Sequence, residues 1–185
     1  MRIISGTARG TKLYTLEGTN TRPTLDRIKE PLFSIIQNRI KDAIVLDLFS
    51  GSGALAIEAL SRGAKEAVAC DNSNKAIKII KENLEATRLI DKAEIINKDY
   101  IEALKKLNKE SKKFDIIFLD PPYKTDYVIK SINDILEYKL LAEDGIIVVE
   151  TDDKNKIKEI ENNKDLEVYD TRKYGIVYVI FIRKG

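Results

Sequence analysis

The chain has 185 residues, 43% hydrophobic and 34% charged, with a formal net charge of +2, which predicts one compact domain with a sizeable core and a small extension. It has no histidine and one cysteine, Cys70, which excludes imidazole acid–base chemistry, Ser-His triads and internal disulfides, and leaves no ligand set for zinc; no metal is expected. No window approaches the ~18 consecutive apolar residues of a membrane span and the first residues form no apolar leader, so a cytoplasmic location is expected.

The charge is uneven. Residues 1–41 hold eight Lys/Arg and three Asp/Glu, net +5, whereas residues 42–185 hold 24 and 27, net −3. The chain therefore divides into a basic extension, 1–41, and a mildly acidic body, 42–185, with a polyanion expected at the basic end. In the extension, "RIISGTARGTKLYTL" reads as a hairpin around Gly6 and Gly10. "TRPTLDRIKEPLFSIIQNRI" reads as a helix carrying Leu32, Phe33, Ile36 and Ile40, with Thr24 as N-cap. Pro31 either kinks that helix or marks its start.

From Ala43 the pattern alternates. "AIVLDLF" is a buried-strand run, and "SGALAIEALSR" places Leu55, Ala56, Ala59 and Leu60 on one helical stripe. "AVACD", "AEIINKD", "FDIIFLD" and "GIIVVE" read as further strands. Between them "NKAIKIIKENLEA", "YIEALKKL" and "YVIKSINDILEY" read as amphipathic helices, and a charged helix is expected near 153–162. Such alternation predicts a parallel sheet covered on both faces. "LEVYDTRKYGIVYVIFIRK" has no room for a crossover helix and reads as a hairpin around Lys173-Tyr174-Gly175. The expected fold is α/β, a Rossmann-like seven-stranded sheet with its last strand antiparallel.

Gly51 and Gly53 in "DLFSGSGALA" stand between the first strand and its helix. With Ala56 they satisfy G-x-G-x-x-[G/A], and Asp71 ends the second strand about twenty residues later, the spacing of a ribose-binding acid. A nicotinamide site meets these criteria, as do other nucleoside sites. Asp47 lies in the first strand, Asp99 ends the third and Asp120 the fourth, all near carboxyl ends of parallel strands, where open α/β sheets bind ligands. So many anions suit a ligand with ribose, amines and positive charge better than a pyrophosphate. S-adenosylmethionine is such a ligand. Asp71 is expected on its ribose, Asp99 and Tyr100 on its adenine, and Asp47 on its amino group, directly or through water. Phe49 and Asn72, beside these residues, complete the expected cofactor set.

"FLDPPY" then supplies an acceptor seat. Pro121 and Pro122 end the strand and stiffen the turn. Asp120 and the Pro121 carbonyl can accept both hydrogens of a planar exocyclic amine, and Tyr123 can stack on its ring.

Over its whole length the sequence resembles the RsmD-like methyltransferases. "RIISGTARGTKL", "RPTLDRIKEPLF", "DLFSGSGALAIEALSRGA" and "FLDPPY" occur in that family's order. The resemblance implies S-adenosylmethionine-dependent methylation of the exocyclic N2 of one guanine in small-subunit (16S) ribosomal RNA, in naked form or in the assembling subunit. It implies cofactor binding by Gly51, Gly53, Asp71 and Asp99 and base holding by Asp120 to Tyr123. Arg22, Thr24 and Arg27 would border the active site, and Arg9 and Lys12 of the basic extension would dock the RNA. The alternatives are an adenine-N6 methyltransferase acting on RNA or DNA, and a non-catalytic RNA-binding assembly factor on the same fold.

Overall fold

The structure is a computed structural model that describes residues 1–16, 23–123 and 125–185, with side chains in the first helix from Arg27 onward. At the N-terminus Arg2 and Lys12 form an antiparallel bridge. Gly10 N donates to Ile3 O at 2.8 Å and Leu13 N to Met1 O at 3.0 Å, giving the hairpin expected around Gly6 and Gly10. Helix α1 spans Pro23–Ile35 and the short α2 spans Gln37–Ile40.

The helix begins with proline, where a missing N–H costs nothing, and so starts one residue before the expected cap. Thr24 lies inside the first turn, and its side chain is outside the described residues. Pro31 is also inside α1, so the helix forms around it and loses the bond its amide would have donated to Arg27 O.

The body follows as β1 (Ile44–Asp47), α3 (Ala54–Ser61), β2 (Glu66–Asp71), α4 (Asn74–Ala86) and β3 (Ala93–Asn97). It continues as α5 (Tyr100–Lys109), β4 (Phe114–Leu119), α6 (Tyr127–Glu137) and β5 (Leu141–Thr151). It ends in α7 (Asn155–Glu161), β6 (Leu166–Tyr174) and β7 (Val177–Lys184). These strands form one sheet in the order β3-β2-β1-β4-β5-β7-β6. β1 to β5 pair in parallel, and β7 runs antiparallel to both β5 and β6. The reversal follows from chain length: β6 and β7 are separated only by Gly175 and Ile176, with Gly175 at φ 63°, a turn slightly later than expected from the sequence. Edge strand β6 carries Glu167, Asp170, Arg172 and Lys173, charges that discourage pairing with another chain.

Period-2 alternation sends successive strand residues to opposite faces. Val45, Ile116, Phe118, Val148 and Phe181 meet α1, α3 and α4 on one side. Leu46, Ile117, Leu119, Val149 and Ile182 meet α5, α6 and α7 on the other. Cys70 is wholly buried in this second core, as a small hydrophobe, and burial raises its thiol pKa far above the usual range. The extension shares the first core, through Ile3, Leu13, Ile28, Leu32 and Phe33.

A charged cluster fastens that contact. Glu58, fully buried in α3, accepts from Ile4 N at 2.9 Å, Ser5 N at 3.1 Å and Arg62 Nε at 2.8 Å. Its remaining partner is Lys29 Nζ at 3.2 Å, which also donates to Arg2 O at 2.6 Å. Lys29 is fully buried. It therefore cannot belong to the RNA-facing charge of the extension; it is an internal ion-pair partner. Gly6 shows how close the hairpin sits: a Cβ there would lie 1.7 Å from Ser61 O.

Candidate active site

The strand order reverses between β1 and β4, and a ligand crevice is expected outside the carboxyl ends at that point. A cavity of about 1020 Å³ lies there. One wall is the loop after β1, including Phe49 and Gly51; the next is the end of β2, with Asp71 and Asn72. Asp99 and Tyr100 follow from the β3 end, and Asp120, Pro121, Pro122 and Tyr123 close the opposite side. Met1 and Leu16 of the extension also border it. Residues expected from distant parts of the sequence thus share one cavity.

The glycine loop is held by internal acceptors. Gly51 N donates to Asp71 Oδ2 and Gly53 N to Ser50 O, at 2.9 and 2.8 Å. Gly53 has φ 80° and caps α3, with Ile57 and Ile80 packed where a Cβ would project. Both amides are thus committed to the protein, where a dinucleotide site would aim them at a pyrophosphate. Asp71 Oδ1 also accepts from Ser73 N at 2.9 Å, and Asp99 Oδ1 caps α5 by accepting from Glu102 N at 3.0 Å. These short bonds fix both carboxylates at the rim.

Asp47 differs from the expectation. It is 1% exposed and absent from the cavity wall. Its Oδ2 accepts from Ser50 Oγ at 2.9 Å and Ala56 N at 3.3 Å, which turns the carboxylate beneath the loop. Burial pushes its pKa up to about 7 against those two hydrogen bonds, with lesser help from the charges of Asp120 and Asp71. Asp47 therefore supports the loop from below and lies off the cavity wall. Gly53 is likewise buried under the wall rather than part of it.

Three rings gather at the β1 and β3 side. Phe49 lies 5.6 Å from Tyr100 and Tyr127 lies 5.1 Å from Tyr100, between centroids, with Phe49 and Tyr127 nearly parallel. Across the cavity, Pro121 is buried and Tyr123 half-buried, while Thr125 Oγ1 donates to Pro122 O at 2.8 Å and closes the turn. Arg9, Lys12 and Arg27 are exposed on the extension; Arg22 lies outside the described residues.

The sequence reading missed Tyr127, Glu150 and Asn83. Glu150 ends the fifth strand run, the positional signal that selected Asp71, Asp99 and Asp120. Asn83 is fully buried and joins the hairpin to the glycine loop. It accepts from Tyr14 N at 2.7 Å and donates to Tyr14 O at 3.0 Å and Ser52 O at 2.8 Å. Its signal was a polar residue beside Ile80 and Leu84 on the apolar stripe of α4.

Residues 1–183 match the family described as Conserved hypothetical protein 95. The chain belongs to that family. This is the RsmD-like methyltransferase family that the motifs resemble, and its methyl donor is S-adenosylmethionine. YlbH of Bacillus subtilis is 40% identical over 184 residues, covering 100% of this chain and 99% of its own. Ribosomal RNA small subunit methyltransferase D of Haemophilus influenzae is 36% identical over 163 residues, covering 88% of this chain and 84% of its own. Among solved structures, yhhF of Escherichia coli superposes with a TM-score of 0.86 at 30% identity, covering 100% of this chain and 97% of that one.

Proposed function

We propose that this RsmD-like methyltransferase modifies the exocyclic N2 amine of one guanine in 16S ribosomal RNA, as part of the small subunit or its precursor. One observation carries the reading: carboxylates and rings suited to a nucleoside, and the rigid Asp120–Tyr123 turn suited to a planar amine, open on the same cavity. The chemistry of the lining fits S-adenosylmethionine. Asp71 can accept ribose hydroxyls beyond its two local bonds, because each carboxylate oxygen has two lone-pair sites. Asp99 is set for the adenine amine, and Phe49, Tyr100 and Tyr127 for its ring.

When bound, the cofactor supplies a methyl group on a positively charged sulfur. The protein's part is to bring up a weak nucleophile correctly aligned. Asp120 Oδ and the Pro121 carbonyl accept the two amine hydrogens, which turns the nitrogen lone pair away from them and towards the donor side. The Asp120 charge offsets the positive charge that grows on the nitrogen. Tyr123 holds the base by stacking. Unstacking a base costs a few kcal/mol, which favours a looped or single-stranded target. Arg9, Lys12, Arg22, Thr24 and Arg27 hold flanking RNA, and the name of the Haemophilus influenzae relative supports the small ribosomal subunit as partner.

The test is incubation with labelled S-adenosylmethionine and undermethylated small ribosomal subunits, followed by digestion to nucleosides. Label is expected in N2-methylguanosine. Label in N6-methyladenosine would replace this reading with the adenine one, and tight cofactor binding without transfer would favour an assembly factor.

A further inference from the structure

Leu119 of β4 stands opposite Val149 of β5. Asp120 and Glu150 therefore leave this parallel pair side by side, one residue past it. Alternation puts both on the face of Phe118 and Val148. Both border the main cavity. Glu150 also borders a second cavity of about 340 Å³, which shares Pro121, Pro122 and Tyr123 with the first. Glu150 is 4% exposed. The turn after β5 uses the next residue instead, Thr151 Oγ1 accepting from Asp153 N at 3.1 Å. A buried carboxylate thus borders the cavity beside the amine seat.

We infer that Glu150 is the specificity-determining residue, its carboxylate accepting the N1–H of the guanine whose amine sits at Asp120. The inference rests on the guanine-N2 reading above. On the Watson–Crick edge, guanine presents two adjacent donors, the amine and N1–H. Adenine presents its amine beside the N1 lone pair. A carboxylate next to the seat attracts the first pattern and repels the second, so the same Asp-Pro-Pro-Tyr turn serves guanine and rejects adenine. A base without the N–H sets its N1 lone pair against the carboxylate, and in a buried site that repulsion makes the rejection steep.

The test uses the full-length protein and small-subunit RNA with either guanine or 2-aminopurine at the nucleotide labelled in the first experiment. 2-Aminopurine keeps the C2 amine but has a lone pair at N1. The wild type is expected to favour guanine in kcat/KM by about a hundredfold or more. In Glu150→Gln the carboxamide can turn its NH2 to the N1 lone pair of 2-aminopurine or its oxygen to the N1–H of guanine. That variant should keep part of its guanine transfer and gain 2-aminopurine transfer, collapsing the ratio at unchanged cofactor affinity and Tm. Wild-type transfer to both bases at equal rates overturns the inference without any variant. A folded Glu150→Gln that keeps the wild-type ratio also overturns it, as a merely structural role would leave the ratio alone. If that variant fails to fold, Glu150→Asp is read instead: a tenfold or greater loss on guanine is expected, and unchanged kinetics overturn the assignment. Absence of any label on guanine N2 in the first experiment would instead retire the parent reading.

Discussion

Asp120→Ala is expected to abolish transfer while leaving cofactor affinity near wild type, because on the guanine-N2 reading the residue holds the acceptor amine and not the cofactor. Single-turnover assays with parallel calorimetry separate the two; normal turnover would remove Asp120 from the mechanism. Tyr123→Phe should cost little and Tyr123→Ala about 1–3 kcal/mol if the ring acts by stacking, and equal losses would point to the hydroxyl. Asp71→Ala should behave oppositely to Asp120→Ala, with cofactor affinity falling roughly tenfold to a hundredfold as hydroxyls and the Gly51 amide lose their acceptor. Asp47 makes a pH prediction. Its folded pKa, about 7, lies above the ordinary 3.8, so the fold binds this proton more tightly than the unfolded chain does. Its contribution to stability is full below pH ~4 and is lost as pH rises towards 7, by at most on the order of 4 kcal/mol. Asp47→Asn should therefore gain stability relative to wild type between pH 4.5 and 7.5 in urea titrations. A constant difference across that range would show that Asp47 is not perturbed.

At the scale of elements, the hairpin, α1 and α3 are fastened through Glu58. Removing it takes the carboxylate from the buried Lys29 ammonium and from the amides of Ile4 and Ser5, and breaking a buried pair from one side costs about 3–5 kcal/mol. Glu58→Ala should lower Tm by about 6–20 °C for a chain of this size, and Glu58→Gln by less, since an acceptor oxygen remains. A Tm within a degree of wild type would mean the cluster is not coupled to folding. α3 begins at Gly53, and Asn83 of α4 bonds both Tyr14 and Ser52. The elements that carry the basic surface are thus bonded to those that shape the glycine loop. The helices and strands themselves were readable in the sequence, since each has a strong local period. Their connections were not: nothing local in "ALAIEAL" marks Glu58 as the acid that meets Lys29.

For the whole molecule, the net +5 of residues 1–41 overstates the charge available for RNA, because Lys29 is internal. Arg9 and Lys12 are exposed and away from the cavity wall, which makes them the clean test. Neutral substitutions of both should weaken RNA binding and reduce the log–log salt slope by roughly 0.7–0.9 per lost contact, with cofactor affinity intact. Wild-type binding at every salt concentration would end the docking role. The sequence by itself determined the seven strands, the reversal of the last one and the set of acids at strand ends, because periodicity, loop length and position along a strand are local properties. It also located the Asp120–Tyr123 turn that borders the cavity, since two prolines after a buried strand leave the backbone few conformations. Only the tertiary structure decided where those acids act. Asp47 and Asp120 both lie at carboxyl ends of strands, yet packing of the glycine loop turns one beneath the wall and leaves the other on it. Glu150 gained its place beside Asp120 only when β5 paired with β4. Lys29 became internal where the fold set Arg2 O and then Glu58 against it, Glu58 at 3.2 Å. A charge can be buried only where the fold brings a partner, and that partner lies 29 residues away in the chain.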